Sequence, residues 1–234
     1  MRSAVWRLEQ LGREVATCKR CPRLVAWRAL VASKPPASHA GEAYWARPLR
    51  GFGDPDARLV VVGLAPAANG GNRTGRMFTG DRSGDFLFAA LHRAGFANQT
   101  LSRSVDDGLE LAGAWVTAAV RCAPPANKPT PLERDTCACY LSAELHELTS
   151  ARVLLALGAF AYEALWRLPE VRGGQRLRRE RFAHGLELAL PPFGAVPPRT
   201  LLCSYHPSQR NVFTGLLTAK MFDELLARAR VLSA

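Results

Sequence analysis

The chain has 234 residues, with 31 basic against 20 acidic side chains and a net charge of +11. That length can bury a sizeable core, and since nothing reads as an interdomain linker, a single domain over residues 1–234 is expected. The charge directs attention to an anionic partner, nucleic acid before membrane, because the longest apolar runs, Leu59 to Ala68 and Val153 to Tyr162, are too short to span a bilayer.

Charges are scattered through the first 20 residues with no apolar leader, so a cytosolic protein is expected. Thiols stay reduced there, and six cysteines then favour a metal or cluster over disulfides.

In chain order, Val5, Leu8, Leu11 and Val15 predict a first helix over 4–16, and a second covers 22–32 with Cys18 and Cys21 at the turn between them. Residues 34–57 read as a long irregular connection, anchored by Tyr44, Trp45 and Phe52. The first strand is 58–63. A glycine-rich loop follows, then a helix over 83–94 ended by Gly95. Residues 97–112 read as an exposed loop. Further strands are expected at 115–120, 153–157 and 201–205, with a possible one at 186–190. Helices are expected at 132–148, 159–167 and 216–231. Strands alternating with helices imply α/β, a three-layer α/β/α architecture on a central, mostly parallel four-stranded sheet, with ligands bound beyond the strands' carboxyl ends.

The loop GLAPAANGGNRTGRMFTGD, from Gly63 to Asp81, is where such a ligand belongs. Its glycines let backbone approach something planar or anionic, and the next helix offers its N-terminal N–H groups. Neither GxxxxGK[ST] nor GxGxxG is present, so neither common nucleotide-binding loop is indicated. Phe78 is the loop's aromatic, readable as a stacking face or as a core anchor. Asp81 reads as a catalytic carboxylate, a helix N-cap, or both. Arg73 and Arg76 read as phosphate contacts or as surface charge. His206 follows an apolar strand in HPSQRN, as a donor near the pocket. Ser208, Gln209, Arg210 and Asn211 on the same loop are short or planar donors suited to phosphate contacts. The arginines between 172 and 181 either extend a nucleic-acid track or form a solvated face. Cys18 with Cys21, and Cys122 with Cys137 or Cys139, make a four-thiolate set that spacing alone leaves open between zinc and iron. Cys203, inside an apolar strand, reads as a small buried hydrophobe.

The loop resembles the first active-site motif of the uracil-DNA glycosylase superfamily, and most closely that of the family 5 (type b) enzymes. Tyr44 to Asp54, CAPPANKPTP from Cys122, and SYHPSQRN from Ser204 agree in order, so the resemblance runs from about residue 18 to about residue 222. It implies excision of uracil, and of hypoxanthine, xanthine, ethenocytosine and 5-hydroxymethyluracil to some degree, from double-stranded DNA by monofunctional hydrolysis that leaves an abasic site. The resemblance further implies a base stacked on Phe78, a hydrogen bond from His206 to the base carbonyl, and supporting roles for Asp81 and Asn127. Gly63, Leu64, Ala65 and Ala118 should shape the base pocket. Family 4 enzymes carry a glutamate at the position of Leu64 and a base-reading asparagine at that of Ala118, and both absences match family 5. Arg210 departs from the expected glutamine. The resemblance also implies a [4Fe–4S] cluster on Cys18, Cys21, Cys122 and Cys137, with Tyr140-Leu141 selecting Cys137 over Cys139, and a monomer acting on DNA. Rival readings are a strict family 4-like glycosylase and a non-catalytic iron–sulfur module that grips a base without cutting.

Overall fold

The computed structural model describes residues 3–194 and 196–234. Its elements in order are α1 (Ala4–Thr17), α2 (Pro22–Ser33), β1 (Phe52–Gly53), β2 (Leu59–Gly63), α3 (Gly71–Thr74), α4 (Arg82–Arg93), β3 (Ala114–Ala118), α5 (Pro131–Glu147), β4 (Val153–Leu157), α6 (Ala159–Arg167), β5 (Glu187–Leu190), β6 (Arg199–Ser204), α7 (Gln209–Phe213) and α8 (Ala219–Leu232).

The sheet runs β1-β3-β2-β4-β6-β5. The four inner strands are parallel, as the alternation implies, but the sheet has six strands and not four, because β1 and β5 add antiparallel edges. β1 is two residues long and β5 is half exposed, so neither carries the apolar run that marks an inner strand.

Alternation along the strands builds the layers. Leu59 and Val61 of β2 face a core filled by Leu87 and Phe88 of α4 and Phe222 and Leu226 of α8. Val60 and Val62 point the other way, to Leu141 and Leu145 of α5 and Leu165 of α6. The fold is therefore three-layered α/β/α. Cys203 lies fully buried in the second core, where burial pushes its thiol up to about 12. α1 packs on α5 through Leu8 and Val15, and α2 inserts Leu24 against Val120 and Cys122. A capping box fixes the start of α5: Thr130 accepts from the Glu133 N–H while Glu133 accepts from the Thr130 N–H.

Candidate active site

The carboxyl ends of β2, β4 and β6 open into a pocket of about 700 Å³. β2 delivers the glycine-rich loop, β4 delivers Gly158, and β6 delivers His206. Phe78, Asp81, Asn127 and His206 all line this one space, together with Leu64 and Ala65.

Phe78 is fixed from two sides. Its backbone has φ +53°, a conformation that a bulky residue adopts only when its surroundings enforce it. A Cβ on Gly63 would lie 2.5 Å from the Phe78 ring, and one on Gly84 would lie 1.7 Å from the Phe78 carbonyl oxygen. The absence of side chains at 63 and 84 thus lets the ring lie against β2 and face the pocket. Gly63 and Ala118, paired in register, sit behind Phe78 and do not line the pocket, so their part is to support the ring.

His206 faces Phe78 across the opening, with ring centroids 6.3 Å apart and planes inclined by 28°. Among the described residues its ring takes no hydrogen bond. Burial pushes the imidazole down to about 4, so it is neutral near pH 7 and one ring nitrogen carries a proton to donate. Asn211 Nδ2 donates to the His206 carbonyl at 2.9 Å, and Gly158, at φ +91°, leaves the space in which the histidine sits. Asn211 therefore positions His206 and does not line the pocket, whereas Ser208, Gln209 and Arg210 do.

Asp81 is the helix N-cap that the sequence offered, and it also lines the pocket. It is the N-cap of α4, its Oδ1 accepting from the Gly84 N–H at 3.0 Å, while the carboxylate lines the pocket and its Oδ2 rests against Gly70. Burial raises its pKa above the usual aspartate range, against the pull of the Gly84 and Ser83 N–H groups. Asn127 ends a 3-10 turn in which Ala126 and Asn127 both have positive φ, at +51° and +54°. Of the four non-glycine residues with positive φ among those described, Phe78 and Asn127 line the pocket and Ala126 adjoins it.

The two loop arginines are structural. Arg76 is buried, its guanidinium 2.7 Å from both oxygens of Asp107 and bonded to Thr79 and Ser102. It ties the glycine-rich loop to the 97–112 loop and has no face for a phosphate, which corrects its assignment as a DNA contact. Arg73 is likewise engaged, with Glu42 at 2.6 Å and the Asn69 carbonyl at 2.8 Å. The residues that sequence reasoning missed include Arg82 and Phe160, which line the pocket, and Gly158. A glycine ending one buried strand and opening a helix is the signal that would have found Gly158.

Cys18, Cys21, Cys122 and Cys137 line a second, separate cavity between α1, α2 and α5. Among the described residues no group of three or more His, Cys, Asp and Glu is placed to hold a single metal ion. The donor set nevertheless fits a thiolate-bound cluster. Burial pushes the Cys122 thiol up to about 11 and the Cys137 thiol up to about 12. Sulfur-directed donors are already in place: the buried Arg28 guanidinium is 3.0 Å from Cys122 Sγ, and the Arg121 N–H points to Cys137 Sγ at 3.4 Å. Cys139 is exposed, lies outside the cavity and meets Arg20.

The family model of the Uracil DNA glycosylase superfamily matches residues 50–230. A type-5 uracil-DNA glycosylase of Mycobacterium leprae is 47% identical over 227 residues, 97% of this chain and 96% of that protein. Its counterpart of the same description in Thermus thermophilus is 48% identical over 225 residues, covering 96% and 98% of the two chains. One from Pyrobaculum aerophilum is 44% identical over 215 residues, covering 92% and 88%.

Proposed function

Since this chain belongs to the Uracil DNA glycosylase superfamily and is a hydrolytic DNA glycosylase, we propose that it acts as a monomeric, monofunctional, family 5 enzyme on uracil in double-stranded DNA. We infer that hypoxanthine, xanthine, ethenocytosine and 5-hydroxymethyluracil are also accepted. The observation that carries this reading is the pairing of Phe78 and His206 across one pocket that also holds Asp81 and Asn127. Leu64 and Ala65 supply no selective amide or carboxylate on that wall, which supports a broad substrate range.

The chemistry follows from the charge that develops. As the bond between the sugar C1′ and the base nitrogen breaks, its electron pair leaves with the base and the sugar becomes cationic. His206, neutral but still a donor, hydrogen-bonds a base carbonyl and stabilises the departing anion, as an oxyanion hole does. Asp81 stabilises the cationic sugar from the other side. Asn127 orients the base edge. Water adds its oxygen to C1′, and the proton it releases goes to the base anion, leaving an abasic site. Extrusion of the base costs roughly a few kcal/mol, offset by stacking on Phe78.

Cys18, Cys21, Cys122 and Cys137 are the residues that would hold a [4Fe–4S] cluster, joining α1 and α2 to the body of what we take as one domain. That cluster, when bound, supplies iron–thiolate bonds that cross-link the N-terminal helices. Arg28 and the Arg121 N–H, which meet Cys122 Sγ and Cys137 Sγ, would then stabilise the charge on those sulfurs.

A single-turnover assay on a uracil-containing duplex tests the function. The reading expects alkali-labile abasic sites; strand binding without such sites would favour the non-catalytic rival.

A further inference from the structure

The end of β6 leaves one backbone donor with no strand to meet it. Beyond β5 the ladder continues only to Gly185: the Cys203 N–H donates to the Leu186 carbonyl at 2.9 Å, and the Gly185 N–H to the Cys203 carbonyl at 2.8 Å. In an antiparallel pair the next donor on that edge is two residues further, the Tyr205 N–H. On the opposite edge the Gly158 N–H donates to the Ser204 carbonyl at 2.7 Å, so β4 holds residue 204 and not 205.

A side chain takes the place of the missing strand. His184 Nδ1 accepts from the Tyr205 N–H at 3.3 Å, and the imidazole stacks on the Tyr205 ring, centroids 5.3 Å apart and planes inclined by 26°. Ser204 Oγ lies 3.4 Å from the same nitrogen and donates to the Tyr205 carbonyl at 2.9 Å. The ring also meets the Met221 backbone at the start of α8. As Nδ1 accepts, the proton of the neutral ring is on Nε2. The next residue after Tyr205 is His206, whose own carbonyl is held by Asn211. The backbone is thus pinned on both sides of the pocket histidine, by His184 before it and by Asn211 after it.

We propose that His184 is a positioning residue for His206: by accepting from the Tyr205 N–H, as the neutral imidazole only, it fixes the backbone from which His206 reaches into the pocket. The inference rests on the donor role given to His206 above. A proton on Nδ1 would set N–H against N–H and release Tyr205 from its partner. Burial lowers the His184 pKa below the usual histidine range, against the pull of the Met221 backbone and of Glu224 on α8, so the neutral form holds at pH 7. Among the described residues, Glu224 and the Tyr205 phenol are the ionisable groups that act on the ring or stack with it.

The test compares wild type, His184→Leu and His184→Asn, since asparagine puts an amide oxygen where Nδ1 stands and has no proton to gain. Single-turnover excision from a uracil duplex is followed between about pH 5 and 8, with amide hydrogen exchange of Tyr205 as the second readout. Misplacing a catalytic group implies that His184→Leu loses about 10-fold or more in the maximal rate at neutral pH, at an unchanged half-saturating concentration, and its Tyr205 amide should exchange faster. His184→Asn should keep both the rate and the protection. The ratio of wild-type to His184→Asn rates should be flat above about 6.5 and fall below it, because only wild type loses its acceptor there. Asp81 and His206 are present in both proteins, so their titration cancels from the ratio. An unchanged rate or unchanged Tyr205 exchange in His184→Leu, an equal loss in His184→Asn, or a ratio independent of pH would each overturn the proposal. If His184→Leu does not fold, the pH dependence of the ratio decides alone. A His206→Ala protein that excises at the wild-type rate defeats the donor role itself, and Tyr205 exchange still reports on His184.

Discussion

The Phe78 and His206 rings face each other at 6.3 Å, inclined by only 28°. A base lying flat between them would need about 3.5 Å on each face, near 7 Å in all. The gap is too narrow for a sandwich. In the proposed mechanism the base therefore stacks on Phe78 alone and His206 meets its edge, which is the position of a donor. His206→Ala should slow excision by about 10²-fold or more, in the range seen when one oxyanion donor is removed. Single-turnover rates on a uracil duplex check this.

The protonation state of His206 gives a pH prediction. Its pKa is held at about 4 against an ordinary 6.5, so the folded state takes up this proton later than the unfolded chain does. The stability it contributes is full above about 6.5 and is lost as pH falls toward 4. Denaturant titrations in that window should show wild type weakening more steeply than His206→Asn. Across the neutral range the excision rate should show no step from this histidine.

Asp81 should separate into its two roles by substitution. Asp81→Asn keeps a side chain able to cap α4, so stability should change little, while loss of the carboxylate slows excision by about 10²-fold or more. Asp81→Ala should lose the same activity and a further 1 kcal/mol or so of stability with the cap. Melting curves alongside rates distinguish the two.

Gly63→Ala should act through Phe78. The added methyl falls 2.5 Å from the ring, which must move off β2 into the pocket. Excision should fall sharply while DNA binding at low salt persists, measured by rate and by gel shift respectively.

The loop arginines predict opposite phenotypes from the rim arginine. Arg76→Ala removes the guanidinium that ties the half-buried Asp107 to Thr79 and Ser102 and should destabilise by about 1–3 kcal/mol, with the salt slope of DNA binding unchanged. Burial works against the Asp107 charge, yet Arg76 and three N–H groups hold its carboxyl down to about 2. That contribution is present above about 3.8 and is lost as pH falls through about 2. Arg210→Ala should leave stability alone and lower the salt slope by about 1.

Much of the fold was legible because its inner strands and main helices carry their own signals. β2 reads as LVVVG, and α5 opens with a threonine, a proline and a glutamate in capping-box spacing. α7 was not legible, since five residues contain no periodicity, nor was the two-residue β1. At the site, Phe78, Asp81, Asn127 and His206, each picked from a separate motif or loop position, line one pocket. Arg76 misled because its partner Asp107 lies 31 residues away on another loop, invisible to a local pattern. Gly84 carried no signal either, as its role depends on how closely the Phe78 carbonyl approaches in space.

The cavity lined by four cysteines predicts that Cys137→Ser loses the iron and the visible absorption of a cluster, while Cys139→Ser keeps both. Anaerobic preparations analysed for iron and by absorption spectroscopy decide it.

The most direct measurement is a crystal structure with a uracil-containing duplex bound to an Asp81→Asn variant. The account predicts the extruded uracil flat on Phe78 with a carbonyl oxygen within hydrogen-bonding reach of His206. A uracil still paired in the helix, or lodged where neither ring touches it, contradicts the account.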